Sequence, residues 1–228
     1  MKRQFLFAAG ILMTGSLFLV SSCSKDDGDT TPPVITLMGN SSQDVILNES
    51  YTDAGATASD EEDGTVSVST NNPVNVDSAA TYTVTYTATD AAGNTATASR
   101  SVRVYNQSEG MEGSYTVVEN TVHTYTQTIT ASKSVNKRIH FERFGDYDNN
   151  PNIYVDITGS TINLPSQTAG GIGTSGCTHL FSQNGFGNSI TQVQGKYTFS
   201  IKFWDDQQGS IGCQDTDPVD YEDVFVQN

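Results

Sequence analysis

Hydrophobic and polar residues alternate in short runs from residue 34 to the end of the sequence. In residues 82–88 the larger side chains fall on even positions and threonines on odd positions. Successive side chains of a β-strand point to opposite faces, so one face of such a strand packs and the other contacts water. Turn residues, as at 90–94, separate the runs. Because no window has a sustained helical period, the pattern predicts an all-β chain.

The runs form two groups, separated by a polar segment at residues 106–112. Short runs fill residues 32–105, and longer ones fill residues 113–228, where Ile139 and Phe141 share one strand face. The first group predicts an immunoglobulin-like β-sandwich. The second predicts another antiparallel β-sandwich or a barrel-like domain. Gly110 lies in the segment between them, and we expect that segment to be a hinge.

Residues 1–23 have the order of an export signal. Lys2 and Arg3 precede an uncharged apolar run at residues 5–20, and small residues lead to Cys23. Residues 20–23 resemble the lipobox of bacterial lipoproteins, whose cysteine becomes the lipidated first residue. The resemblance implies a membrane anchor at Cys23, since several acyl chains bury their methylenes together.

Residues 24–31 form a polar, acidic segment, which predicts a flexible tether. An acidic run directly after the lipidated cysteine resembles the surface-export signal of Bacteroidetes lipoproteins. The resemblance implies a protein anchored in the outer membrane and facing the environment. The alternative is a solvated linker that carries no address.

Three stretches carry a second resemblance: PPVITL at residue 32, YTDAGATASDEEDGTVSV at residue 51 and TYTVTYTATDAAGNTATASRSVRV at residue 81. They are similar to the bacterial immunoglobulin-like repeat related to hyalin repeats, which occurs in pesticidal crystal proteins and adhesins. The resemblance implies a seven-stranded sandwich that spaces or presents other domains. It implies no catalytic role, and one fold serves many functions.

Two shorter stretches, GSYTV at residue 113 and INLPSQ at residue 162, resemble a recurrent β-domain of Bacteroidetes surface lipoproteins. That family often accompanies nutrient-uptake systems. For residues 113–228 the resemblance implies a β-domain on the cell surface.

The charge balance excludes one class of partner. The formal net charge is −15, and removal of residues 1–23 takes away Lys2 and Arg3 and no acid, which leaves −17. Such a charge repels phosphate backbones, so we expect no nucleic-acid partner.

No motif predicts catalysis, a cofactor or a metal. His123, His140 and His179 lack ligand spacing, and nucleophile and phosphate-binding motifs are absent from the sequence. A glycoside hydrolase would need a carboxylate pair, for which the candidates are Asp205, Asp206, Asp215, Asp217 and Asp220. Acids of that density are common in the loops of an acidic protein, so we expect no enzyme. Residues 60–63 are acidic too, and we favour a solvated loop there over a calcium site.

Cys177 and Cys213 remain once Cys23 is lipidated. Two cysteines outside the cytoplasm usually pair, so we predict a Cys177–Cys213 disulfide. The alternative is two free thiols.

Trp204 is the candidate ligand contact. Alternation along residues 196–204 places it on the solvent face with Ser200 and Lys202. Sugars offer an apolar face to an aromatic ring and hydroxyls to polar neighbours, for which the sequence supplies Asp205, Asp206, Gln207 and Gln208. The alternative is that a bulge turns Trp204 inward.

These observations predict an accessory glycan- or nutrient-binding lipoprotein of an outer-membrane uptake system, with a polysaccharide or an outer-membrane transporter as partner. An adhesion protein or structural spacer is the first alternative, and a glycoside hydrolase is the second.

Overall fold

The computed structural model describes residues 28–144, 153–172, 177–183, 188–208 and 219–228. The first group of strands comprises β1 Val34–Leu37, β2 Ser42–Ile46, β3 Ala56–Asp60, β4 Gly64–Val66, β5 Val68–Asn71, β6 Ala80–Thr89 and β7 Thr95–Tyr105. The second comprises β8 Gly113–Glu119, β9 His123–Ala131, β10 Arg138–Phe141, β11 Tyr154–Thr158, β12 Thr161–Asn163, β13 Gln167–Ile172, β14 Cys177–Gln183, β15 Asn188–Val193, β16 Lys196–Gln208 and β17 Val219–Gln227.

The first seven strands form two sheets that pack face to face. One sheet has the order β1-β3-β4 and the other the order β2-β7-β6-β5. Their pairs are antiparallel except β2 and β7, which run parallel from Ser42 opposite Ser101 to Ile46 opposite Tyr105. The predicted N-terminal β-sandwich is confirmed.

Alternation along β6 and β7 builds the core of the sandwich. Val84 and Tyr86 on β6 are fully buried, as the even positions predict. Val102 and Val104 on β7 lie in the same apolar cluster. Val45 of β2 and Leu47, which directly follows β2, belong to it as well. Threonines fill the alternate positions of β6 and leave that face to solvent or to polar contacts.

The second group of strands forms a closed barrel. Neighbouring strands follow the order β17-β8-β9-β10-β11-β12-β15-β16, and the pairing of β16 with β17 closes the ring of eight. Strand β16 is long enough to pair with β15 through Lys196–Phe199 and with β14 through Phe203–Gln208. The hairpin β13–β14 therefore extends the wall beyond the ring. Of the two architectures expected for residues 113–228, the barrel is confirmed.

Aromatic side chains fill the barrel. An eight-stranded barrel has an interior just wide enough for side chains. Phe199 and Phe225 stack with ring centroids 4.7 Å apart, and Phe144 lies 4.6 Å from Phe203. The alternation predicted for this domain holds, because these interior positions are buried: Ile139, Phe141, Ile153, Val155, Ile157, Phe199, Ile201 and Phe203.

Residues 106–112 differ from the expected hinge. Asn106 is 2% exposed, and its side chain donates to three carbonyls and accepts from two amides. The carbonyls belong to Ser132, Val135 and Arg138, and the amides to Ser108 and Lys137. A short 3-10 helix, Glu109–Met111, follows and buries Met111 in the barrel core. The segment is a hydrogen-bonded junction.

The loop at residues 132–137 brings the barrel against the sandwich at the same junction. The backbone amide of Ala79 donates to the carbonyl of Lys133 over 2.7 Å. Asn48 donates to the carbonyl of Ser134 and accepts from the amide of Asn136. Side-chain and backbone groups of the two domains are therefore hydrogen-bonded to each other at this junction.

Candidate functional site

Trp204 lies on the outer face of the barrel wall, on β16. Its side chain is 40% exposed, although the residues on either side of it in the sequence are buried. Ser182 of β14 is its cross-strand neighbour. Lys202, two residues before it, forms an ion pair with Glu222 over 3.4 Å. The result is an aromatic ring on a sheet surface with polar neighbours, which we call the Trp204 face (Ser182, Lys202, Trp204 and Glu222).

Asp205 does not share this face. It is 3% exposed and points into the barrel, on the same side of β16 as Ile201 and Phe203. Alternation requires this, because adjacent residues of a strand point to opposite faces. The expectation that Asp205 is a polar partner of Trp204 is therefore wrong, and the described polar partners come from Lys202 and the cross-strand residues instead.

The other polar partners expected beside Trp204 lie at the end of β16. The backbone of Asp206, Gln207 and Gln208 continues the strand opposite β14, but their side chains lie outside what the structure describes. Of the carboxylates considered for hydrolysis, Asp215 and Asp217 are outside the described residues. Asp220 is opposite Trp204 in the register of β17, and its side chain is also outside the description.

The acidic loop after β3 differs from a fully solvated loop. Asp60 is only 9% exposed. Its Oδ1 accepts from the backbone amides of Glu62 over 2.9 Å and Asp63 over 3.2 Å, so it stabilises its own turn. Carboxylates in this position commonly bond to the backbone that follows them.

The turn between β6 and β7 lies beside this loop. Asn94 donates its backbone amide to Asp90 Oδ1 over 2.7 Å and its Nδ2 to Asp90 Oδ2 over 2.9 Å. Burial raises the pKa of Asp90, but the hydrogen bonds from Asn94 outweigh it and the pKa lies below its ordinary value. Asn94 Nδ2 also donates to the carbonyl of Asp29 over 3.1 Å, which fixes Asp29 at this end of the sandwich. Asp63 accepts from the amide of Ala91.

Three carboxylates meet where these segments converge. One side-chain oxygen each from Asp29, Asp60 and Glu62 lies within 4.8 Å of the others. The negative charge of Asp29, followed by burial and the charge of Asp60, raises the pKa of Glu62. We call this group the acidic cluster (Asp29, Asp60 and Glu62). Sequence reasoning placed two of its members in the loop and missed Asp29, which stood in the expected tether.

A second charged group was missed inside the sandwich. Arg100 is 1% exposed and forms an ion pair with Asp53. It also donates to the carbonyls of Asn40 and Met38. Tyr86 donates to the same carboxylate over 2.6 Å. The signal was present, because Arg100 continues the even-numbered series of β7 that points inward.

The remaining predicted sites are untested. Cys23 and Cys213 lie outside the described residues, and Cys177 begins β14 with its side chain undescribed. Lipidation and the Cys177–Cys213 disulfide therefore stay predictions. In the part of the chain that the structure describes, no helix has the length and hydrophobicity to cross a bilayer.

The histidines occupy strand positions. His123 begins β9, with its ring 6.1 Å from that of Tyr125. His140 on β10 is half-buried, and burial, with the nearby charge of Arg138, lowers its pKa. The side chain of His179 on β14 is outside the description. Within the described residues, the group of three side chains with metal-ligand chemistry is the acidic cluster and contains no histidine.

The solved structures to which the chain is similar include two that share about one residue in seven with it. The lipoprotein BT2262 from Bacteroides thetaiotaomicron is 15% identical, with a TM-score of 0.30, over 86% of this chain and 100% of its own. The structure of CBM51-2 in complex with GlcNAc and INT domains, from Clostridium perfringens ZmpB, is 14% identical with a TM-score of 0.28, over 86% of this chain and 44% of its own. No curated protein matches the sequence.

A family comparison identifies one of the two domains. The family model described as a bacterial surface protein, Ig-like domain, matches residues 35–104. That range begins in β1 and ends within β7, so it coincides with the two packed sheets. The N-terminal sandwich is therefore similar to bacterial surface Ig-like domains, and we call it the Ig-like domain.

Proposed function

We propose that the protein is a non-enzymatic lipoprotein of the bacterial cell surface whose barrel binds glycans for an outer-membrane uptake system. The surface location is supported by the matched Ig-like domain and by the export signal that ends at Cys23. The observation that carries the glycan part is the exposure of Trp204 on the barrel wall.

An exposed tryptophan calls for a physical reason. Burying a large apolar side chain contributes roughly 1.5–3 kcal/mol, and Trp204 leaves part of that unrealised. A pyranose ring presents C–H groups on one face, which pack against an aromatic plane, and hydroxyls around its edge. Lys202 and Glu222 lie on the same face and offer a donor and an acceptor to those hydroxyls.

The charge of the chain narrows the ligand class. After removal of residues 1–23 the net charge is −17, which repels polyanions at low ionic strength. Uronate-rich or sulfated polysaccharides are therefore disfavoured. We propose neutral polysaccharides as the ligands of the Trp204 face.

The Ig-like domain acts in this proposal as a spacer. It lies between the lipid anchor proposed at Cys23 and the barrel, and the buried side chain of Asn106 joins it to the barrel through hydrogen bonds. A spacer of this kind presents the barrel to the medium in a fixed orientation.

Affinity gel electrophoresis tests the glycan proposal. The full chain is run through gels that contain one neutral polysaccharide each, such as xylan, a β-glucan, a mannan or a galactan. We expect at least one of them to retard the parent protein. Replacement Trp204→Ala should weaken retention roughly tenfold or more, as loss of a central aromatic contact does in other binding sites.

Val226 supplies the matched control. It is 42% exposed on the adjacent strand β17, so Val226→Ala removes an exposed apolar side chain from the same wall. This variant should be retained like the parent. Equal retention of Trp204→Ala and the parent would contradict a role for the Trp204 face in binding.

A further inference from the structure

The acidic cluster contains an unusual buried group. Asp60 is 9% exposed, and its Oδ1 is engaged by two backbone amides. Its Oδ2 is buried and has no hydrogen-bond partner among the residues that the structure describes, and the same holds for Oδ2 of Asp29. A buried carboxylate oxygen without a donor is costly, because desolvation is not offset by any interaction.

Among the described residues, no positive side chain forms an ion pair with these carboxylates. Within the described ranges, the ion pairs of the sandwich join Arg100 to Asp53 and Arg103 to Asp44 and Glu109, and none involves the cluster. Three carboxylates instead face one another, and their mutual repulsion is consistent with the raised pKa of Glu62. An arrangement of this kind is stabilised when a cation enters it.

We propose that Asp29, Asp60 and Glu62 bind one calcium ion at this end of the Ig-like domain. Calcium takes six to eight oxygen ligands at about 2.3–2.6 Å, so two oxygens on one ion are at most about 5 Å apart. The cluster meets this requirement, because its three oxygens lie within 4.8 Å of one another. Water completes the coordination on the exposed side of Glu62.

The ligand set selects a hard cation. Its side chains offer carboxylate oxygen alone, whereas zinc and copper favour nitrogen and sulfur ligands. Magnesium requires a near-ideal octahedron at shorter distances. The oxygens come from the segment before β1, the end of β3 and the loop after it, and such an irregular set suits the larger and more adaptable calcium shell.

The site joins two parts of the chain that are distant in sequence. Asp29 precedes β1, whereas Asp60 ends β3 and Glu62 lies in the loop after it. The hydrogen bond from Asn94 to the carbonyl of Asp29 holds that residue in place beside the loop. Calcium therefore fastens the segment before β1 to the body of the Ig-like domain.

Calorimetric titration of the full chain in detergent, first stripped with EDTA and then titrated with CaCl2, tests the site. We expect one calcium ion per chain with a Kd of about 10⁻⁴–10⁻³ M, the range of extracellular modules. The temperature of unfolding of the Ig-like domain should rise with CaCl2, because a ligand of the folded state stabilises it.

Glu62→Gln and Glu61→Gln form a matched pair. Both remove one negative charge from the same exposed loop, but Glu61 is not in the cluster. Glu62→Gln should weaken calcium binding about tenfold or more, and Glu61→Gln should leave it within about twofold of the parent. Asp60→Asn keeps the oxygen that accepts the two amides and should also weaken binding.

Two results would overturn the proposal. One is a parent protein that neither takes up calcium nor gains thermal stability in its presence. The other is equal weakening by Glu61→Gln and Glu62→Gln, which would indicate diffuse attraction of calcium to a negative surface and no specific site.

Discussion

The buried guanidinium group of Arg100 holds together the interior of the Ig-like domain. Arg100 contacts the carboxylate of Asp53 and three backbone carbonyls, those of Met38, Asn40 and Gly55. Its guanidinium lies 5.7 Å from the centre of the Tyr86 ring. These contacts connect the segments before and after β2 to the centre of β7. A buried charge that is paired and hydrogen-bonded on all sides fixes the relative position of the groups that surround it.

Replacement of Asp53 by Asn should change how the stability of the Ig-like domain depends on pH. Burial alone would raise the pKa of Asp53, but hydrogen bonds from Tyr86 and the Gly55 backbone, with the charge of Arg100, hold it below its ordinary value. A carboxyl with a lowered folded-state pKa stabilises the fold above its unfolded pKa, and this is lost as pH falls through the folded pKa. Asp53→Asn should cost about 3–5 kcal/mol at pH 7 and flatten the loss of stability below about pH 4.

Differential scanning calorimetry between neutral and acidic pH measures both effects. Asp44→Asn is the control, because Asp44 is exposed and contacts Arg103 over 3.6 Å at the surface. We expect a change within about 0.5 kcal/mol for it. If Asp53→Asn keeps the acid sensitivity of the parent, other carboxylates cause that sensitivity.

The sequence predicts the position of Arg100 but not its partner. Alternation along β7 places Arg100 on the inward face, in the series that includes Ala98 and Val102. Asp53 lies 47 residues earlier, in a segment between β2 and β3. Only tertiary packing decides which polar group meets the guanidinium, so the ion pair is visible in the structure alone. Asp29 was missed for the same reason, since nothing local associates it with the loop after β3.

At the scale of structural elements, the junction at residues 106–112 connects the sandwich to the barrel. Asn106 follows β7 directly and uses both its amide nitrogen and its oxygen on backbone groups of the next domain. Gly and polar residues in this segment predicted a hinge. Composition indicates that a segment is compatible with solvent, but it does not show which groups the segment bonds to. The partners are backbone groups of residues 132–138, which the sequence cannot associate with Asn106.

Asn106→Ala should loosen this junction. The change leaves the buried carbonyl of Ser132 and the part-buried carbonyl of Val135 without this donor, and we expect a cost of about 1–3 kcal/mol. In calorimetry the unfolding transitions of the two domains should separate further than in the parent. Gln107→Ala is the control, because Gln107 is exposed and contacts Asn136 at the rim. Identical transitions in Asn106→Ala and the parent would show that the junction contributes little.

The order of strands in the barrel could not be predicted from the sequence, because it too depends on tertiary packing. Alternation along a strand indicates which face is buried, and the described residues of β9, β10, β11 and β16 follow it. Alternation does not indicate which strand lies next to another. Here β12 pairs with β15 and leaves out the hairpin β13–β14, and β8 pairs with β17 at the far end of the chain. Both pairings depend on packing of the whole aromatic core.

At the scale of the molecule, the acidic cluster and the junction lie at opposite ends of one strand. Asn94, which holds Asp29, precedes β7, and Asn106 follows it. Eleven residues at about 3.3 Å each give a separation of roughly 35 Å. In the proposed arrangement, the lipid anchor lies near the first end and the barrel lies at the second, away from the membrane.

The proposed surface location predicts the effect of residues 25–28. Their deletion, with Cys23 and Asp29 kept, should leave the protein lipidated but facing the periplasm. Their replacement by Gly-Ser of equal length should have the same effect, because it is the acidic composition that resembles an export signal. Protease added to intact cells should digest the parent and spare both variants, whereas permeabilised cells should lose all three. Digestion of the variants in intact cells would refute an export signal in this segment.

The parallel pair β2 and β7 has a mechanical consequence. In the proposed arrangement the chain is anchored at Cys23 and a polysaccharide bound to the barrel pulls on the other side of the Ig-like domain. The force then acts on that domain at the residues before β1 and at the end of β7. The two ends are drawn in opposite directions along the parallel strands, from Ser42 opposite Ser101 to Ile46 opposite Tyr105. Their hydrogen bonds are then loaded in shear and share the force, whereas peeling would break them one at a time. In the proposed arrangement, the Ig-like domain is therefore oriented to resist drag on a bound polymer.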